Sequence, residues 1–414
     1  MSGSRVAGAL VAARLVAKKF VIIARLKAAR SFAIIARHRY SRRVMRAALL
    51  LFVVGCNSGS AEPAGPLRGS AAPAKALVDA NPVTLDAPHL FATFCAQCHG
   101  TDAKGYKSDH APSLVNPTFL ASASAGYISA SIEQGRPGTA MAAYGKAVGG
   151  PLDPAAVQKI VVWLQGHGKL SGELVNAPPG DAKRGQPLYA ANCQRCHGDP
   201  ATRGEYLLLA NPVFLKLASD AFIYHAIVNG RPGTPMEAFD KQLGAQQIAD
   251  IVAYNRSLAH EQTIVPLPAP TGKEPLFVNP TGKPPVFVAI KENRFIPADD
   301  LKKALDARAK LVIIDARPQS EWMTVHVTGA VSIPHFKLDR LSEIPKDATV
   351  IAYCACPHHL SGIVVDELVK RGYKHAYVLD EGILEWQRRG YAIVAAQGVT
   401  VPPKEPELPA GAMR

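Results

Sequence analysis

The chain has 414 residues, a formal net charge of +14 and 48% hydrophobic residues. That length has room for about three domains, and the apolar fraction is enough for ordinary cores. Residues 1–46 hold twelve Lys or Arg and no Asp or Glu, which leaves 35 basic against 33 acidic residues in the rest. Beyond that stretch the basic footprint that nucleic acid requires is absent, and nucleic acid is excluded as a partner.

The basic stretch leads into Arg42, Arg43 and Arg46, then the apolar run Ala47 to Val54, then Gly55-Cys56. A charged region, a short apolar run and small residues before a cut read as an export signal over residues 1–56. The run is too short to cross a bilayer as a helix. Val53-Val54-Gly55-Cys56 resembles a bacterial lipobox, which implies that Cys56 is acylated and becomes the mature N-terminus. A plain secretory signal is the other reading. The mature protein is then expected in the periplasm or at the outer surface, anchored to a membrane by lipid. Residues 1–40 extend the charged region unusually far, and a translation start near Val44 or Met45 would account for them. Residues 57–82, rich in Ser, Gly, Ala and Pro, read as a flexible tether.

Cys-x-x-Cys-His occurs twice, from Cys95 to His99 and from Cys193 to His197. Two thiols at this spacing can each add to a vinyl group of one haem, and the following histidine then lies under the iron as proximal ligand. A zinc site shared by the two pairs, or dithiol redox pairs, are the alternatives. A separation of nearly 100 residues and a histidine directly after each pair favour haem.

The same series follows each motif. After the first come Asn116-Pro117-Thr118-Phe119-Leu120, Gly135-Arg136-Pro137-Gly138-Thr139 and Met141. After the second come Asn211-Pro212-Val213-Phe214-Leu215, Gly230-Arg231-Pro232-Gly233-Thr234 and Met236. An internal repeat of this length implies two copies of one small domain, at 83–170 and 171–261. Each closes with an amphipathic helix, Pro154 to Gln165 and Ala245 to Leu258. The region resembles a tandem class I cytochrome c, an all-α fold in which a loop methionine is the sixth iron ligand. The resemblance implies two covalent haem c groups, on Cys95 with Cys98 and on Cys193 with Cys196. It also implies that His99 with Met141, and His197 with Met236, are the axial ligands. Core packing is the plainer role for a methionine. His110, His167 and His225 are rival ligands, but none recurs at a matched position.

Residues 262–290 carry seven prolines between Pro266 and Pro285 and read as an extended, semi-rigid linker. Residues 291–395 then alternate strands and helices. Leu311 to Asp315, Thr349 to Tyr353 and Ala376 to Leu379 have strand character, and a helix is expected from about Ser361 to Arg371. This order gives an α/β domain with a parallel sheet, whose ligand site lies at the C-terminal edge of the strands. Cys354 falls at that edge, before the loop Ala355-Cys356-Pro357-His358-His359-Leu360. A thiol just ahead of a helix N-terminus faces backbone N–H groups and the positive end of the helix dipole, which favour thiolate and bound anions.

Ile314-Asp315-Ala316-Arg317, Glu321-Trp322, His326-Val327-Thr328-Gly329-Ala330, Ile333-Pro334, Tyr353-Cys354 and Leu379-Asp380-Glu381-Gly382 with Trp386 and Gly390 together resemble a rhodanese. The resemblance implies that Cys354 attacks a sulfane sulfur donor such as thiosulfate or a persulfide, becomes a persulfide and passes the sulfur on. The loop is one residue longer than usual, contains the second thiol Cys356, and lacks the arginine with which phosphatase relatives hold a tetrahedral anion. Cys356 could resolve a Cys354 persulfide, and His358 and His359 could bind an anion or steer the thiolate. Solvated loop histidines, or a zinc or copper site built from both thiols and both imidazoles, are the alternatives. Residues 396–414 read as a disordered tail.

The expectation is therefore a lipid-anchored di-haem electron carrier with two small all-α domains and one α/β domain. Its redox partner would be another protein or an oxidase. Sulfur oxidation at Cys354 would reduce the haems, or the C-terminal domain would be an independent sulfurtransferase or a docking or metal-binding module.

Overall fold

The computed structural model describes residues 84–106, 109–168, 174–288, 290–355 and 358–404. The export signal, the tether, Cys56, Cys356 and residues 405–414 lie outside them. Among the described residues, no helix is long and apolar enough to cross a membrane.

Among the described residues the α-helices of the first repeat are α1 (Ala87–Phe94), α2 (Ala96–His99), α3 (Pro117–Leu120), α4 (Ala125–Gln134) and α5 (Pro154–Gln165). The second has α6 (Ala182–Asn192), α7 (Gln194–His197), α8 (Pro212–Leu217), α9 (Asp220–Asn229) and α10 (Ala245–Ser257). The Asn-Pro pairs recur because they start helices. Asn116 and Asn211 accept hydrogen bonds from the N–H groups two and three residues on, and the proline occupies the first helical position, where no N–H is needed.

In each repeat the first and last helices pack together, with Phe91 against Trp163 (4.9 Å between rings) and Tyr189 against Tyr254 (5.2 Å). At Gly185 the approach is so close that a Cβ would meet Asp250 O at 1.9 Å. Asp250, buried on α10, accepts from Arg184 Nε at 2.8 Å, Arg184 Nη2 at 2.9 Å and Asp181 N–H at 2.8 Å. The Arg184 guanidinium, with these N–H groups, brings its carboxyl from the usual 3.8 to about 2.

The two repeats share one continuous apolar core, and they interlock reciprocally. Asn116 Nδ2 donates to Pro232 O at 3.0 Å, and Asn211 Nδ2 donates to Pro137 O at 2.9 Å. The asparagine that caps a helix in one repeat thus also holds the Gly-Arg-Pro-Gly-Thr loop of the other.

The C-terminal domain is built on a twisted sheet with strand order β1 (Phe277–Val278), β3 (Leu311–Asp315), β6 (Val350–Tyr353), β7 (Ala376–Leu379), β2 (Phe295–Ile296). The pairs β3–β6, β6–β7 and β7–β2 are parallel, as is the short β5 (Val331–Ser332) beside β3. Helices α11 (Ala298–Asp306), α12 (Gln319–Thr324), α13 (His359–Lys370) and α14 (Gly382–Arg388) alternate with the strands, and β4 (Val325–Val327) pairs antiparallel with β8 (Ile393–Ala395). The central strands are buried along their whole length, as apolar runs covered on both faces should be.

Two expectations change here. The linker is more than an extended, semi-rigid spacer: Phe277 and Val278 form β1, antiparallel to β3, while Val265 and Leu267 donate to Gln397 O and Met323 O. Apolar, β-prone residues between prolines satisfy the exposed edge of β3. The tail from 396 is hydrogen-bonded as far as Lys404, which exchanges backbone bonds with Ala201 and Arg203 of the second repeat.

One buried network ties the C-terminal domain together. Arg317 (2% exposed) donates to both carboxylate oxygens of Asp315 (0%), at 3.0 and 2.7 Å, and to Val325 O at 2.6 Å. Tyr353 Oη donates to Asp315 at 2.9 Å and accepts from Val327 N–H at 3.1 Å. Burial and the Asp315 charge raise the Tyr353 phenol, so it stays a donor.

These two sites generate two predictions. The Asp250 carboxyl is depressed on folding, so its contribution is fully present above pH 3.8 and lost as the pH falls through about 2. Arg184→Ala should move the acid-unfolding midpoint, followed by circular dichroism, to higher pH. Arg317→Leu leaves the Asp315 charge buried and unpaired, and should cost about 3–5 kcal/mol in denaturant unfolding of the C-terminal domain.

Candidate functional site

The two Cys-x-x-Cys-His segments form the short helices α2 and α7, each entered from its first cysteine. His99 Nδ1 faces Pro112 O at 2.9 Å, and His197 Nδ1 faces Leu207 O at 2.8 Å. A carbonyl only accepts, so Nδ1 carries the proton and Nε2 keeps its lone pair for a metal. Burial lowers both imidazoles, the carbonyl bonds opposing, and both are held neutral.

The Gly-Arg-Pro-Gly-Thr loops are built alike. Arg136 N–H donates to Met141 O at 2.8 Å, Thr139 Oγ1 donates to Arg136 O at 2.7 Å, and Met141 N–H donates to Thr139 Oγ1 at 3.2 Å. Arg231, Thr234 and Met236 repeat these bonds at 2.8, 2.7 and 3.2 Å. Gly135 has φ +61° and a Cβ there would lie 2.5 Å from Ala142 C, so the loop requires glycine.

One cavity of about 440 Å³ is lined by Cys95, Cys98, His99 and Met141 and also by Cys193, Cys196, His197 and Met236. It is mostly apolar, and Asn255 presents to it a buried side-chain oxygen without a hydrogen-bond partner among the described residues. These residues fit covalently held haem: thiols, a neutral imidazole and a thioether converge on each half of an apolar cavity. Burial pushes the Cys95 and Cys193 thiols up to about 12. Of the rival histidines, His110 lines the cavity, whereas His167 and His225 do not.

The arginines of the two loops differ. Arg136 donates to Gly135 O and Ser131 Oγ, both at 2.8 Å. The equivalents of Ser131 and Tyr127 in the second repeat are Ala226 and Phe222. Arg231 instead donates across to Thr118 Oγ1 at 3.2 Å and lies over the rings of Phe119 and Phe222, at 6.0 and 5.6 Å. Burial brings this guanidinium down to about 10.

In the C-terminal domain, Cys354 follows β6 and is 1% exposed. Its Sγ lies 3.3 Å from Ser361 Oγ on α13, and its carbonyl accepts from Ile383 N–H at 3.0 Å. Gly382, at φ +68°, approaches so closely that a Cβ would be 2.6 Å from Cys354 O. α13 begins at His359, earlier than expected, because His358 turns the chain in the left-handed region at φ +76°. His358 Nε2 is 2.6 Å from Asp380 Oδ1, and its ring lies on Phe295 with centroids 4.0 Å apart. Lys291 Nζ is 3.7 Å from the other oxygen of Asp380. Asp380 entered the sequence reading only as part of a motif, and its pairing with His358 had no local signal. Among the described residues, no three His, Cys, Asp or Glu side chains gather to hold a metal ion.

Known proteins match these regions separately. A family described as rhodanese-like domain matches residues 297–389, and one described as cytochrome C oxidase, cbb3-type, subunit III matches residues 84–164 and again 180–254. The Cbb3-type cytochrome c oxidase subunit FixP of Bradyrhizobium sp. is 31% identical over 179 residues, 41% of this chain and 59% of that protein. Subunit CcoP of Rubrivivax gelatinosus is 31% identical over 198 residues, 46% of this chain and 60% of the relative. A sulfurtransferase of Allochromatium vinosum is 30% identical over 112 residues, 25% of this chain and 96% of that protein. The chain thus spans about three fifths of the cytochrome relatives and nearly all of the sulfurtransferase. Through its C-terminal domain the chain belongs to the rhodanese-like sulfurtransferase family, and that domain follows cytochrome c domains of the cbb3 type.

Proposed function

We propose that this is a two-centre c-type cytochrome that carries electrons and handles sulfane sulfur at Cys354, with the two activities coupled. The single cavity that receives both Cys-x-x-Cys-His segments and both loop methionines carries this reading. Bound haem supplies a one-electron redox centre, and methionine ligation raises its potential relative to a second histidine. Cys95, Cys98, Cys193 and Cys196 would hold two such groups, with His99 and Met141 on one iron and His197 and Met236 on the other. The Pro112 and Leu207 carbonyls orient the two imidazoles.

Cys354 takes the sulfur. Thiolate attack on the outer sulfur of thiosulfate forms the Cys354 persulfide and releases sulfite, a step that moves no electrons. Coupling would follow when water oxidises the outer persulfide sulfur to a second sulfite, returning the Cys354 thiolate and releasing six protons and four electrons, which would pass one at a time to the haems. Ser361 Oγ, 3.3 Å from the sulfur, would donate to the thiolate, and His358, paired with Asp380, would meet an anionic donor. Packing favours coupling over an independent module: Cys98 and Ala140 of the first repeat lie against the apolar cluster that includes Cys354 and Leu360. Export, acylation at Cys56 and a periplasmic or outer-surface location complete the reading. The electron acceptor would be another redox protein or an oxidase, as the kinship with oxidase subunits supports.

The test is anaerobic mixing of the oxidised protein with thiosulfate or a small persulfide, following the haem α band. Prompt reduction that disappears in Cys354→Ser is expected. Reduction that persists in that variant, or full reduction by dithionite with none by the sulfur donors, would refute coupling through Cys354. In the same assay His358→Ala should raise KM for thiosulfate roughly tenfold with a smaller effect on kcat, the worth of about one charge-assisted hydrogen bond.

A further inference from the structure

The loops carrying Met141 and Met236 share a backbone design but not their surroundings. On one side of Met141, Ala143 N–H donates to Glu321 Oε1 at 3.2 Å, and Ala143 O accepts from Ser320 Oγ. On the other side, Ala140 packs against the apolar clusters that contain Cys354 and Ala355. Pro235, Glu237 and Ala238, which flank Met236, are exposed.

Ser320 and Glu321 are rigidly mounted. They sit in the first turn of α12, directly after Arg317, which is locked on Asp315. Glu321 is itself 3.4 Å from Arg317 Nη1. Burial outweighs that cation and keeps the Glu321 carboxyl above its ordinary value, so an N–H donor from Ala143 meets an otherwise poorly solvated group. Other contacts fix the same face. His335 Nε2 is 3.3 Å from Thr93 O, and the rings of Phe94 and Phe336 meet edge to face at 5.1 Å. Met323 Sδ lies where a Cβ on Gly149 would be only 2.7 Å away. The C-terminal domain therefore grips the first repeat around Met141.

We propose that Ser320 and Glu321 are positioning residues for the methionine ligand of the first repeat, so that the rhodanese-like domain sets the redox potential of that centre and not of the second. The proposal rests on the reading of Met141 as an iron ligand. A thioether is a weak ligand whose hold depends on the loop that presents it. Loosening the loop weakens the ligation that raises the potential, and the potential falls.

The test uses the full haem-loaded chain. Hydrogen exchange at the Ala143 amide reads the grip itself. Exchange should become roughly tenfold faster in Glu321→Ala, as expected for loss of one hydrogen bond. Glu321→Gln keeps an acceptor oxygen and should restore slow exchange. A redox titration reads the consequence: Met141→Leu identifies the wave of the first centre, and in Glu321→Ala and Ser320→Ala that wave alone should move to lower potential. Ser320→Ala removes a single hydroxyl and gives the same readout if Glu321→Ala fails to fold. Unchanged exchange at Ala143 in Glu321→Ala overturns the grip. Faster exchange with both waves unmoved overturns the positioning role. If Met141→Leu moves neither wave, the ligand reading fails and the proposal falls with it, whatever the exchange shows.

Discussion

The Asp315–Arg317 pair is the constraint on which the C-terminal half depends. A carboxylate and a guanidinium removed from water are costly unless every lone pair and N–H finds a partner. Here the partners are Tyr353 at the end of β6, Val325 O at the start of β4 and Glu321 on α12. Satisfying two buried charges therefore joins three separate elements in one arrangement. Tyr353 immediately precedes Cys354, so the same network that anchors α12 also fixes where the thiol leaves the sheet. The Asp-Ala-Arg motif is a structural clasp that sets the position of the Cys354 thiol.

In the helical half, besides the Arg184–Asp250 pair, neutral hydrogen bonds recur in duplicate. Asn116 and Asn211 each start a helix and each reach across to the opposite loop, so one residue type serves local and long-range order together. Duplication also let the copies diverge. Arg136 has hydroxyl partners within its own repeat, whereas the second repeat carries Ala226 and Phe222 at those places and Arg231 leans on Thr118 and the rings of Phe119 and Phe222. Similar motifs thus surround the two halves of the cavity with unequal polarity.

Much of this was legible in the sequence. Leu311–Asp315, Ala376–Leu379 and Pro154–Gln165 have the bounds their apolar pattern and flanking residues imply, because each is governed by local periodicity. The repeated motifs announced duplication, and the cavity gathers the cysteines, histidines and methionines they nominated. What was not legible is everything that depends on distance in the chain. A bond from Asn116 to Pro232, or from Ala143 to Glu321, leaves no periodic trace. The proline-rich stretch misled for a related reason: composition describes a segment's stiffness but not whether a sheet edge awaits it. Phe277 and Val278 found such an edge. His358 and Asp380 are likewise neighbours only because β7 lies beside β6.

The paired linker has a consequence for how strongly the two halves must attract each other. Val265 and Leu267 are fastened to the C-terminal domain within a few residues of the last helix of the second repeat. So short a leash gives the domain a high effective concentration at the cytochrome surface. The contact itself can then be weak in isolation. The hydrogen bonds, the ring pair, Met323 and the apolar packing of Cys98 and Ala140 need only hold once diffusion away is forbidden. The association is intramolecular and thus independent of how much protein the cell makes.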